Sequence, residues 1–197
     1  MSDEIKITGE PSRAGDSCRF IVDRPVLPDR SAHFGSKAEA ARHSPLASDL
    51  LAIPGIESAL IAENVVTVTA AQAVDWPALG LGNVIRKHLR AAGPAVTAEY
   101  FESLPSEGDL KWAIQDLFDR EINPAVAQHG GWVELIDVQK NSVFIRLGGG
   151  CQGCGAADVT LKQGIERAIR DLAPAVGEIL DTTDHASGRN PYYAPAK

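Results

Sequence analysis

The run GGGCQGC, Gly148 to Cys154, constrains this chain more than any other stretch, because three successive glycines suit neither a helix interior nor the middle of a strand. SVFIRL (Ser142 to Leu147), just before it, has strand composition. ADVTLKQGIERAIRDLA, just after it, carries Val159, Leu161, Ile165, Ile169 and Leu172 at mostly helical spacing. The run is therefore read as a strand-to-helix junction that presents two thiols. Two intervening residues let the sulfurs of Cys151 and Cys154 converge on one centre. Cys154 falls near the helix start, where unpaired amides and the positive end of the dipole favour thiolate over thiol. Gly148, Gly149, Gly150, Gly153 and Gly155 keep side chains away, so that backbone amides can approach the sulfurs and the pocket stays open.

Stoichiometry limits what the pair can hold. An iron-sulfur cluster or a structural zinc takes about four protein ligands, and one junction offers two. Cys18, the third cysteine, lies in a predicted strand far upstream and reads as a small buried residue, not a ligand. A two-fold dimer completes the set, with the same pair from each copy around a shared centre. An odd cysteine count in a chain of 197 residues, large enough to build a core without disulfides, points to thiols in a reducing compartment. Zinc would accept four thiolates equally well. A dithiol redox pair also uses this spacing, although it expects a βαβ context where a hairpin precedes the present one. A phosphate loop is excluded by the lack of the Lys and following Ser or Thr.

The remaining sequence organises into two small α+β domains joined by a linker. A net charge of −7 with no long basic run argues against a nucleic-acid partner. No apolar run is long enough to span a bilayer, and MSDEIKITGE has neither signal nor transit character, so a cytoplasmic protein without a membrane partner is expected. Residues 1–97 form the expected first domain. CRFIVD reads as a strand and RPVLPDRSAHFGS as a punctuated loop, followed by a helix from Ser44-Pro45 that stops before Pro54-Gly55. IESALIA and VVTVT form a hairpin, with Asn64 suited to a positive φ, and a helix then starts at Asp75-Trp76-Pro77 and ends by Gly93. AEYFESLPSEG, residues 98–108, has linker composition. Residues 109–182 give the order helix, strand, strand, cysteine loop, helix, strand, with Pro124 kinking or breaking the first helix and Gly130-Gly131 ending it. Residues 183–197 carry no core pattern. His33, His43, His88, His129 and His185 show no paired metal-ligand spacing, and no Ser-His-Asp set stands out. Trp76, Trp112 and Trp132 are expected to pack in cores or beside helix ends, with Trp112 free to contact a partner.

The stretch HGGWVELIDVQKNSVFIRLGGGCQGCGAADVTLKQGIERAIRDLAPAVGEI resembles the NifU-like C-terminal iron-sulfur scaffold domain, with its helix ending in Gly-Gly, its hairpin, and GxCxxC before the last helix. PVLPDRSAHF, HSPLASDLLAIPGIESALIAENVVTVT and DWPAL resemble the N-terminal domain of the Nfu class. The resemblance implies a homodimer bridging a 4Fe-4S cluster through Cys151 and Cys154. It also implies a carrier without catalytic turnover, receiving clusters from upstream iron-sulfur assembly machinery and delivering them to apo iron-sulfur proteins. Trp132 departs from the resemblance, standing where such domains often carry a polar residue, and its effect is expected on packing more than on ligation.

Overall fold

The computed structural model describes residues 4–91, 93–128, 130–149 and 156–182, and the chain divides into two compact units between Leu104 and Pro105. The first unit is built on an antiparallel sheet of β1 (Ile7–Pro11), β2 (Ser17–Val22), β3 (Leu27–Phe34), β4 (Ile56–Glu63) and β5 (Val65–Ala70), in the order β1-β2-β5-β4-β3. Alternation sets its inner face. Cys18, Phe20 and Val22 of β2 are buried, as are Val66, Val68 and Ala70 of β5. Helices α1 (Lys37–His43), α2 (Pro45–Leu51) and α3 (Leu81–Arg90) add Ala40, Leu46, Leu50, Leu51, Leu81 and Ile85 to the buried set.

Ser44 joins α1 to α2. Its backbone N–H donates to the Ala40 carbonyl, its Oγ accepts from the Ala47 amide at 3.0 Å, and its hydroxyl donates to the Ala95 carbonyl at 2.6 Å. The expected cap is thus in place, with Pro45 in the first turn.

Several expectations for this unit are corrected. RPVLPDRSAHFGS is mostly strand, since β3 pairs with β4. Pro28 is tolerated because β3 is an edge strand whose register shifts between Leu27 and Ser31, with Asp29 at φ 59° in the irregular stretch. The positive φ of the β4–β5 turn falls on Glu63, at 50°, while Asn64 instead uses its side-chain amide to donate to the Val22 carbonyl. The helix expected from Trp76-Pro77 is interrupted. A single 3-10 turn, Pro77–Leu79, ends on Gly80 at φ 65°, and α3 starts beyond it. Within the stretch read as a linker, Ala98–Glu102 is helical (α4). There Tyr100 is buried against Phe34 and donates its hydroxyl to the His33 carbonyl at 3.1 Å.

In the second unit, Ser106 Oγ accepts from the Asp109 amide and caps α5 (Glu107–Leu117). Pro124 has no N–H to return to the preceding turn. The chain meets this with a π-helical turn, Phe118–Ile122, and continues as α6 (Asn123–Ala127), so the helix is widened where a kink or break was expected. Gly130, at φ 71°, ends it as expected. Then β6 (Gly131–Gln139) and β7 (Ser142–Gly149) form an antiparallel hairpin through a two-residue turn, with Lys140 at φ 50° and Asn141 at φ 66°. Helix α7 (Ala156–Leu172) returns the chain so that β8 (Ile179–Asp181) runs parallel to β7, in the order β6-β7-β8. Leu110, Ile114 and Phe118 pack with Val133, Leu135, Val143, Ile145 and Leu147, and with Ile165 and Ile169 of α7, in one core. The expected element order and the α+β class are those observed.

A glycine-framed junction at the end of the hairpin

Cys151 and Cys154 lie outside the described residues, as do Gly150, Gly153 and Gly155. What the fold defines is the frame on either side of them: the last residues of β7, the start of α7, and the β6 residues paired opposite.

The two glycine pairs meet across the hairpin, with Gly131 opposite Gly149 and Trp132 opposite Gly148. Each glycine is required for a different reason. Gly130 needs its positive φ, and a Cβ there would stand in open space. Gly148 has no positive φ, but a Cβ would fall inside the Trp132 indole, about which the strand is closed on that side. Gly149 has both constraints, a φ of 66° and a Cβ position 2.3 Å from the Gly130 carbonyl oxygen. Openness was the expected reason for these glycines. At Gly148 and Gly149 the space is instead occupied by close neighbours.

Asn123, the first residue after the π turn, fixes β6 from the side away from β7. Its Nδ2 donates to the Val133 carbonyl at 3.0 Å and its Oδ1 accepts from the Val133 amide at 2.9 Å. Val133 points into the core, which leaves Trp132 and Glu134 on the opposite face with Arg146 of β7. Arg146 Nε donates to Glu134 Oε2 at 3.1 Å, and its guanidinium carbon lies 5.7 Å from the Trp132 ring centroid. Trp132 stays 41% exposed. Trp76 is buried, as expected of a tryptophan packed in a core or beside a helix end, while Trp112 of α5 is 72% exposed, which leaves it the freedom to contact a partner that was expected of it.

On α7, Lys162, Glu166 and Arg170 share one stripe. Arg170 donates to the carbonyls of Val176 and Gly177 at 2.7 and 2.9 Å, and Lys162 Nζ lies 3.9 Å from Asp181 Oδ2. Burial pushes the Glu166 carboxyl above its usual range; Lys162 and Arg170 oppose this and the Asp181 charge adds to it. A carboxylate raised in the fold weakens the folded state once ionised. The deficit is absent below the ordinary Glu value of about 4.3 and develops as pH rises through the higher folded value. Glu166→Gln is accordingly expected to raise the thermal midpoint at pH 7. Melts followed by circular dichroism should show that gain vanish at pH 4 and below.

Several other titratable side chains are held by the fold. Cys18 is 1% exposed, and burial pushes its thiol up. His88 Nε2 and Lys87 Nζ each lie 3.0 Å from Asp49 Oδ2, and hydrogen bonds from these two hold the Asp49 carboxyl below its usual range. His43 Nδ1 sits 3.5 Å from Thr97 Oγ1. His129 and His185 lie outside the described residues. Among the described residues no group of three or more His, Cys, Asp or Glu side chains is placed to hold a metal ion. No helix among them is long and apolar enough to cross a membrane.

The residues that sequence reasoning missed are Asn123, as a clamp on β6, and Trp132, as the neighbour of Gly148. Counting from a turn at Lys140-Asn141 brings the two glycine pairs to the far end of the hairpin, but only the register shift between Leu135 and Asp137 sets Trp132 opposite Gly148.

A two-unit α+β chain, with its cysteine pair at the strand-to-helix junction of the second unit, has the layout of an iron-sulfur scaffold. Residues 114–180 match the NifU-like domain, and residues 7–91 match the N-terminal domain of the scaffold protein Nfu/NifU. The chain belongs to the Nfu/NifU-like iron-sulfur scaffold family. Fe/S biogenesis protein NfuA of Xanthomonas euvesicatoria pv. vesicatoria is 36% identical over 161 residues, which cover 80% of this chain and 77% of that protein. NfuA of Pseudomonas savastanoi pv. phaseolicola is 53% identical over 92 residues, 45% of this chain and 47% of the relative. A NifU-like protein from Saccharomyces cerevisiae, solved by solution NMR, aligns with a TM-score of 0.43 at 18% identity over 50% of this chain and 91% of its own.

Proposed function

We propose that the protein is an iron-sulfur scaffold and carrier whose cargo is a 4Fe-4S cluster held between two copies by Cys151 and Cys154 of each. The observation that carries this reading is the position of the only close cysteine pair at the β7–α7 junction, in a chain of this family. Two thiolates per chain leave the ligand set half complete, and a second copy supplies the rest. Delivery is ligand exchange. Thiolates of an apo iron-sulfur protein replace those of Cys151 and Cys154, so no catalytic turnover is needed. The first unit selects partners or positions the carrier, and upstream assembly machinery loads it. The cytoplasm suits such a protein, because its thiols must stay reduced.

Anaerobic reconstitution with iron and sulfide is expected to give about one 4Fe-4S cluster per dimer, by Mössbauer spectroscopy with analytical ultracentrifugation. The loaded protein is expected to activate an apo-target. A stable monomer carrying a full cluster would overturn the shared site. Turnover of the iron-free dithiol in an insulin-reduction assay, with no gain from iron, would replace the carrier with an oxidoreductase.

A further inference from the structure

We propose that Trp132 is a positioning residue for the cysteine junction: its indole, seated on Gly148, fixes the end of β7 from which the chain runs on to Cys151. The link to cargo release rests on the carrier reading given above.

Four observations converge on this. The Trp132 indole fills the space where a Cβ of Gly148 would lie, so ring and backbone are in direct contact. Trp132 and Gly148 are cross-strand partners, which makes the contact part of the pairing and not a chance approach. The ring is held in place on its own side, because Asn123 grips the Val133 backbone through two hydrogen bonds one residue along. It is held above by Arg146, whose guanidinium is tied to Glu134.

Physically, the last pair of a hairpin frays most easily, since it has neighbours on one side only. Gly148 and Gly149 offer no side chains to resist that fraying. A flat ring laid over Gly148 supplies the missing contact from the opposite strand, as aromatic side chains do for strand glycines elsewhere. The end of β7 then stays paired through Gly149, the last described residue before the cysteine pair in the sequence.

The test uses the full chain, metal-free and under argon. Alkylation of Cys151 and Cys154 by iodoacetamide is followed by mass spectrometry, and amide exchange at Gly148 and Gly149 by NMR. Trp132→Ala is expected to speed both about five- to thirtyfold, the effect of losing one modest local contact. Trp132→Phe is expected to restore them nearly to the original rates. Gly148→Ala displaces the ring and is expected to match Trp132→Ala, whereas in the Trp132→Ala background the same change adds nothing. Retained exchange protection at Val143 and Ile145 shows that the core is intact. Unchanged rates in Trp132→Ala, or additive effects in the double variant, would overturn the proposal. In reconstituted protein the same order of variants is expected for iron loss to a chelator. Equal chelator rates beside unequal alkylation rates would overturn the link to cargo release. If the wild-type chain takes up no cluster at all, the carrier reading fails, and alkylation and amide exchange decide the role of Trp132 independently.

Discussion

Cys151→Ala and Cys154→Ala are each expected to abolish cluster uptake, whereas Cys18→Ala is expected to leave it at the wild-type level; iron and sulfide content after anaerobic reconstitution measures all three. The asymmetry follows from protonation as much as from place. A ligand must be a thiolate, and a sulfur at a strand-to-helix junction has the amides and dipole that favour one. Cys18 has the opposite surroundings. It is buried in β2 among Gly9 and Phe20, its thiol is pushed up chiefly by that burial, and its Sγ lies 3.9 Å from the Arg19 carbonyl oxygen. Under the proposed shared centre, removing one thiol per chain would take two of four ligands, so partial occupancy is not expected. Loss of the cluster from the Cys18 variant would overturn the ligand assignment.

The second large effect concerns stability. Gly149→Ala places a methyl 2.3 Å from the Gly130 carbonyl oxygen in a residue at φ 66°. The left-handed conformation costs an L-residue about 1–2 kcal/mol, and forced overpacking about 1–3 kcal/mol. The crowding atoms are backbone, which cannot swing aside. A total near 3 kcal/mol is expected from these two terms, read as a shift of the urea midpoint for the second unit. Gly130→Ala is the internal control. Its φ of 71° is equally unfavourable, but a Cβ there meets nothing, so only about 1–2 kcal/mol is expected. Equal losses for the two variants would mean that the close approach of Gly130 and Gly149 does not form.

The second unit was largely legible in sequence because its signals are local and agree. Polar residues sit at the hairpin turn, apolar residues alternate along the strands, and glycine ends the helix. The first unit was legible in its cap at Ser44 and its β4–β5 hairpin, but not in β3. Pro28 reads as a strand breaker, and only pairing with β4 shows that it falls in an irregular stretch at a sheet edge. The π turn was half legible. Pro124 announces a disturbance, but whether a helix breaks, bends or widens depends on what must stay buried, and here Phe118 and Val126 both do. The opposition of the glycine pairs needed one further fact. A register shift between Leu135 and Asp137 moves the pairing by one residue, so that Trp132 faces Gly148 and not Gly149. Local composition does not specify a bulge, and without it the wrong glycine would carry the ring.

Asn123 has a consequence for how two copies can meet. β6 is an outer strand, and the outward amide and carbonyl of Val133 are the groups that a neighbouring chain would use to extend the sheet. The Asn123 carboxamide takes both, acting as a fragment of strand too short to be continued. If two copies share a cluster, as proposed above, they would meet with this edge already blunted. Their union would then depend on what they share and not on a growing ladder of backbone bonds, so it would end when the shared object leaves.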